Sequence, residues 1–396
     1  MTNRIRETFK YFIFSLFVST SCQSIDQDKN INDAVIEVTF EMNPTKLYLS
    51  NFADSIQYIP LKTNQEVLLS NRLEFKFTNN YILVNDIGTK KLNLFSKDGS
   101  YLNSIGTLGR GIGEYNLVAG YTIDEDSELI FVSDRNKKSI LLYDLLGNFK
   151  KELSLGFFAG GIEVWKKNQL LIMTAPSIYN KDEVPHILLM DYNGKRLVEK
   201  TLPLPRKNSK RDQVFFSPYF NKLRVIPMSS IQDTVFYLTN DLEMLPHLVF
   251  RYEGMFDKEH PDYDEYNSIA TKGFSFDGMP LETPNYVFWG GSFDNKPANM
   301  LYDKTTKKSY HLKPHETNFP GAGLLNDLDN GPEFYPLYQK DGDWLFTVIY
   351  TYNFTANKNN YSKTNAELPK SAEKSLEVLK NQDSEDPILM LVRFKK

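Results

Sequence analysis

The segment Gly106-Thr107-Leu108-Gly109-Arg110-Gly111-Ile112-Gly113-Glu114-Tyr115 sets four glycines around one arginine. Backbone amides stripped of side chains can close on an anion, and Arg110 would add a full positive charge. No Gly-Lys-Ser/Thr follows and no helix pattern begins there, which excludes a P-loop. The competing reading is a turn between sheets that needs glycine backbone angles, packed down by Glu114 and Tyr115. Asp86 and Asp134 occupy matching contexts, Val-Asn-Asp-Ile-Gly and Val-Ser-Asp-Arg-Asn. Such a repeated carboxylate either accepts backbone N–H groups in its turn or faces a ligand. Between residues 257 and 266 an acidic run offers Glu259, Asp262 and Asp264 as oxygen ligands, with His260 among them. Calcium takes about six to eight oxygens from flexible loops of this kind. The spacing fits no EF-hand, so a solvated acidic insertion is the other reading, and no other cofactor is indicated. The five histidines, at 186, 247, 260, 311 and 315, show no His-x-x-x-His helix pair, because Pro314 interrupts the last two. There is no Gly-x-Ser-x-Gly elbow, and no two carboxylates are separable by spacing into an acid and a nucleophile.

A covalent modification is expected at Cys22, the single cysteine. Arg4, Arg6 and Lys10 precede the apolar run Phe12-Ile13-Phe14-Ser15-Leu16-Phe17-Val18, and Ser19-Thr20-Ser21 lead up to the cysteine. That order reads as an export signal over 1–21, too short to span a membrane. Small residues before a cysteine resemble the lipobox of bacterial lipoproteins, where the thiol receives a diacylglycerol, although Ser19 stands where the pattern has leucine. A free thiol in an ordinary secreted protein is the alternative. Two or three acyl chains would anchor the protein stably, where one binds only marginally. Residues 22–43 then form the lipidated N-terminus and tether, and 44–396 the folded domain. With no second cysteine the fold must rest on its core alone. Removing 1–21 takes three basic residues and one acid from 46 and 50, leaving 43 and 49 and a net charge of −6. Such a surface suits neither nucleic acid nor an anionic membrane.

The elements that must position these residues recur. Leu92-Asn93-Leu94-Phe95, Ile140-Leu141-Leu142-Tyr143, Ile187-Leu188-Leu189-Met190 and Val235-Phe236-Tyr237-Leu238 end 48, 47 and 48 residues apart. Hairpin turns follow them, with Gly99, Gly147, Gly194 and the pair Asn240-Asp241 where positive φ is expected. Looser copies lie at 299–302 and 388–391. A second apolar strand precedes each copy, at 81–84, 129–132, 170–173, 223–226, 286–289 and 344–347. A period near 50 residues built of short strands predicts an all-β fold, a six-bladed β-propeller of four-stranded antiparallel blades. Pairing of Ser55–Leu61 with Ile388–Phe394 would close the ring. An amphipathic helix is expected at 370–380, a rim insertion at 253–285 and a loop at 355–366.

The Gly106–Tyr115 segment also resembles the Gly-x-Gly-Pro-Gly-Glu-Tyr turn of the six-bladed β-propeller lipoproteins of Bacteroidetes, relatives of NHL-type and TolB-like propellers, with Ile112 in place of the proline. Asp54–Leu61 and Asp386–Leu391 resemble that family's ends. The resemblance runs from about residue 44 to the end and implies the same six-bladed fold. It implies no activity, since the family has none agreed, and a fold does not fix a function.

Two functions are expected from these features. The first is a lipid-anchored protein of the outer membrane, facing the periplasm or the surface, that acts as a non-enzymatic binding or scaffold propeller for a glycan, a peptide or an envelope protein. Arg110, Glu114, Tyr115, Asp86 and Asp134 are its candidate contacts, and the 23 tyrosines, 28 phenylalanines and three tryptophans would suit sugar rings or peptide side chains. The alternative is a propeller glycoside hydrolase or lyase acting on envelope polymer, its acids converging from different blades.

Overall fold

The computed structural model describes residues 36–40, 44–63, 67–174, 185–201, 213–219, 222–228, 234–252, 274–276, 279–293, 296–313, 323–350 and 386–396. Among them the only helical element is the 3-10 turn Leu49–Asn51, and all other regular structure is β-strand. Cys22, the acidic run with Glu259, Asp262 and Asp264, and the expected helix at 370–380 lie outside the described residues.

Four consecutive strands hydrogen-bond in chain order to make each sheet. The first comprises Leu73–Phe77, Tyr81–Asp86, Lys91–Ser96 and Tyr101–Ser104; the next, Val118–Asp124, Leu129–Asp134, Ser139–Asp144 and Phe149–Ser154. Ala159–Lys166, Gln169–Thr174, Ile187–Asp191 and Arg196–Lys200 follow, then Gln213–Tyr219, Lys222–Met228, Thr234–Leu238 and Met244–Tyr252. In sheet 274–312 the first position is shared by Phe274–Phe276 and Leu281–Glu282, ahead of Tyr286–Phe293, Lys296–Asp303 and Lys308–Leu312. The span 253–285, expected to be a rim insertion, therefore ends in sheet strands. Tyr338–Gln339, Trp344–Ile349 and Ile388–Phe394 complete the series, with Ala53–Pro60 from the N-terminal side as their fourth strand. Its register sets Pro60 against Ile388 and Ala53 against Phe394, the closure expected from the sequence.

The recurring apolar segments all fall in third strands, and their predecessors in second strands. These strands lose the period-two alternation because the sheets stack face to face and bury both surfaces. Tyr81–Asp86 is buried at five of six positions and so is Ser139–Asp144. Outer strands carry charge instead, and Arg196–Lys200 is exposed over most of its length. Every core cluster lies within the compact unit Val35–Lys396.

An aspartate closes the turn between third and fourth strands in the second and third sheets. Asp144 Oδ1 accepts from the amides of Leu146 at 3.1 Å and Asn148 at 2.9 Å, and Asp191 Oδ1 takes Asn193 and Lys195, both at 2.9 Å. Gly147 takes the left-handed angle there, φ 82°, but in the fourth sheet this falls to Leu242, φ 60°, and not to Asn240 or Asp241. Leu242 adopts it because its side chain is drawn into the core against Leu189 and Leu238.

Of the described residues before Ala53, 36–40 and 44–52 form a strap on the outer edges. Ile36–Phe40, in the stretch expected to be tether, pairs in parallel with Met244–Tyr252, and Pro44–Thr45 with Lys308–Leu312. Tyr48 then bridges Leu325 and, past the closing strand, Lys62 bridges Ser100.

Candidate functional site

First strands alternate polar and apolar residues, so one side of each presents polar groups where the strands approach one another. A Cβ on Gly120 would lie 3.0 Å from Gly161 Cα and 3.1 Å from Ile162 N, so the two strands meet this closely only because residue 120 is glycine. This approach brings three sheets to one point. Lys76 Nζ of sheet 73–104 is ion-paired with Glu163 Oε1 of sheet 159–200, and Thr122 Oγ1 of the sheet between donates to Glu163 Oε2 at 3.4 Å. The pair is largely but not fully shielded, with side-chain exposures of 23% for Lys76 and 15% for Glu163.

Beside the pair, Asn85 Nδ2 donates to Glu74 Oε2 at 2.9 Å, and Tyr338 OH donates to the carbonyl of Leu73 at 2.6 Å. Burial, then the charge of Glu74, pushes the Tyr338 phenol up to about 12. Burial together with Glu74, Tyr338 and Glu163 raises Tyr121 well above its usual range. Both phenols therefore stay protonated donors at neutral pH. Lys76 and Glu163 cancel, which leaves exposed Glu74 as the uncompensated charge. The arrangement offers hydroxyl, amide and carboxylate groups between aromatic rings, a set that recognises polar but weakly charged ligands.

A second cluster lies between sheets 213–252 and 274–312. His247 Nε2 stands 2.8 and 2.9 Å from the oxygens of Glu282, and Lys304 Nζ donates to Glu282 Oε1 at 2.6 Å and to the Thr283 carbonyl at 2.7 Å. The Tyr237 ring stacks on the imidazole at 3.9 Å. Glu282 pairs with the second residue of its neighbouring strand, the register position held by Phe77, Ile123 and Val164 in the first three sheets. An acid thus replaces an apolar side chain in a slot that is closed to solvent, and it persists there because a cation and an imidazole meet it.

The model of a domain of unknown function, DUF4934, matches residues 33–393. The chain belongs to the DUF4934 family. A solved structure from Bacteroides fragilis, of a protein described as exported, superposes on the DUF4934 chain with a TM-score of 0.68 at 20% identity, covering 91% of this chain and 100% of that one. A DUF4221 member from Bacteroides vulgatus gives 0.49 at 12% identity over 90% and 99% of the two chains. The Swd1 β-propeller domain of Myceliophteria thermophila gives 0.35 at 10% identity over 62% and 86%. No curated protein matches the chain. Successive four-stranded antiparallel sheets, the last completed by a strand from the other end of the chain, make this DUF4934 protein a β-propeller.

Within DUF4934 the residues singled out by sequence do not gather around Lys76 and Glu163. Asp86 and Asp134 are fully buried, and their carboxylates are occupied by amides of their own turns and of the segments that enter the two sheets. Asp86 accepts from the amides of Ser70 at 2.9 Å and Thr89 at 3.0 Å, while Asp134 accepts from Asn116 at 2.6 Å, Asn136 at 2.7 Å and Lys137 at 3.1 Å. The glycine loop packs between sheets, against the third and fourth strands of sheet 118–154. Tyr143 OH donates to the Gly113 carbonyl at 3.0 Å, and the Tyr115 hydroxyl accepts the Leu92 amide at 3.0 Å. Glu114 Oε2 takes the Gly111 amide at 2.7 Å, filling the concavity an anion would need. Arg110 projects outward, exposed. Among the described residues no three His, Cys, Asp or Glu side chains gather to hold a metal.

The Lys76 site escaped the sequence reading because 87 residues separate Lys76 from Glu163. The local signal was Gly120, where the two strands come close.

Proposed function

We propose that this protein is an exported lipoprotein of the cell envelope, acylated at Cys22 and held at the outer membrane, whose propeller binds a glycan or peptide at the axial site around Lys76 and Glu163. The observation that carries the reading is the meeting of Lys76, Thr122 and Glu163 from three consecutive sheets, with Tyr121 and Tyr338 beside them. Propeller first strands line a central channel, and a channel furnished with a self-neutralised ion pair, protonated phenols and an amide favours uncharged polar ligands over acidic ones. A sugar hydroxyl can accept from Lys76 while donating to Glu163, so it replaces the pair without stranding either charge.

Six blades is our count, one for each sheet between residues 73 and 394, the sixth closed by Ala53–Pro60. The export and anchoring part rests on the basic, apolar and small-residue order that ends at Cys22. The likeness to an exported Bacteroides fragilis protein agrees with it.

The test is a thermal-shift and calorimetry screen of residues Val35–Lys396 against neutral glycan oligomers and peptides. A ligand at a hundredfold excess over its Kd stabilises the native state by about 2.7 kcal/mol. The double substitution Lys76→Met with Glu163→Leu exchanges the ion pair for an apolar one and should abolish the shift while the protein stays folded. A shift that survives it, or a screen in which nothing stabilises the protein, counts against the axial site. Turnover of a glycan would move the reading to a propeller glycoside hydrolase or lyase.

A further inference from the structure

Strand order fixes which loops share an end of the molecule: in an antiparallel sheet, the link entering the first strand lies at the same end as the turn between the second and third. At that end of sheet 118–154 the entering loop carries exposed Arg110 and three apolar side chains, Leu108, Leu117 and Ile112, the last 91% exposed. The adjacent turn adds Arg135 and Lys137. The two segments are tied together, since Arg135 N donates to the Leu117 carbonyl at 3.0 Å and Lys137 Nζ to the Gly111 carbonyl at 2.8 Å. The same end of sheet 73–104 repeats the pattern with exposed Arg72, Lys90, Lys91 and Leu68. At the opposite end of sheet 118–154 the turn presents Glu125, Asp126 and Glu128.

The net charge of −4 therefore conceals a local excess of cations at this end of the first two sheets. At the basic end Asp86, Asp134 and Glu114 are engaged by backbone amides, and the exposed acid Glu74 is met by the Asn85 side-chain amide. Ile112 is also held rigidly outward: Glu114 caps Gly111, Tyr143 holds Gly113, and Thr107–Leu108 pairs with Glu114–Tyr115. A protruding apolar tip ringed by cations is convex. It cannot enclose a small ligand or a peptide, but it fits the interface of a bilayer, where apolar groups sink among the lipids and cations meet the headgroups.

We propose that this end docks on a membrane surface bearing anionic lipids, with Ile112 and Leu108 entering the interface and Arg110, Arg135 and Lys137 against the headgroups. The surface does not depend on the lipid anchor. Its test uses residues Val35–Lys396, which hold every core cluster and lack Cys22. Sedimentation with vesicles of phosphatidylcholine alone, and with vesicles in which phosphatidylglycerol replaces part of it, should show binding to the second only, weakened by salt. Reversal by Arg110→Glu with Arg135→Glu should reduce partitioning at least about tenfold, each basic residue near an anionic surface being worth roughly a fivefold factor. Ile112→Ser should weaken it at unchanged charge, and both variants should keep the parent unfolding midpoint. Equal binding to the two vesicle types overturns the proposal. So does a gain from Asp126→Lys with Glu128→Lys as large as the loss from the arginine reversal, because only net charge would then be felt.

Discussion

Glu282 Oε2 lies 2.8 Å from His247 Nε2 across the boundary of two sheets, in a register slot that is apolar in the first three sheets. Lys304 completes the cluster, so removing one member strands another in a nearly dry place. Glu282→Leu alone should cost about 3 kcal/mol, and Glu282→Leu combined with Lys304→Met should cost less than the single change. Urea unfolding of the parent, both single variants and the double variant gives the coupling energy; strict additivity would show that the charges do not stabilise one another.

Tyr115 buries its hydroxyl to receive the amide of Leu92, the first buried residue of a third strand. Tyr115→Phe keeps the ring and leaves that N–H without its acceptor, at a cost of about 1–3 kcal/mol. The midpoint of chemical denaturation should fall with the slope unchanged. A midpoint equal to the parent's would mean that the contact between the first two sheets does not depend on this bond.

Burial raises the Glu333 carboxyl to about 7, against the pull of Lys46. The folded state then keeps a proton that the unfolded chain releases near 4.5, so stability falls as pH rises from about 4.5 to 7. Glu333→Gln should match the parent at pH 4 and exceed it by about 1–2 kcal/mol at pH 8, the group being only partly shielded. Melting curves across that range check it, and a parallel pair of profiles would reject it.

Two turns predict opposite responses to glycine. Lys307 is exposed at φ 56°, an angle that costs a side chain about 1 kcal/mol, so Lys307→Gly should be neutral to stabilising by up to that amount. Gly147→Ala should destabilise by more than about 1 kcal/mol, because φ is 82° and the new Cβ would run into the Ser104 carbonyl. If both changes lower the melting temperature alike, backbone angle is not what selects these residues.

The second and third strands were legible because burial on both faces turns them into apolar runs with a fixed period. Asp86 and Asp134 were legible as turn carboxylates for the same reason, their contexts repeating with the blades. First strands were not, since half of each faces other first strands and carries residues such as Lys76, Thr122 and Glu163. Glu282 was hidden for a different reason. Its departure from the repeat shows only after the register is known, and its partner His247 is 35 residues away in another sheet. The strap was hidden as well, because Pro44–Thr45 is too short to leave a pattern.

Ile36 lies against Leu248, Pro44 against His311 and Ala53 against Phe394. Each of these early segments finds its partner more than 200 residues further along the chain. During translation, Ala53–Pro60 has no strand to pair with until Ile388–Phe394 has been made, and an unpaired strand of that length invites association with other chains. Closure is therefore a late event with a high loop-closure cost, and should be the slow step of folding. A chain delivered across a membrane unfolded and released whole escapes that hazard, because both ends become free to meet at the same moment.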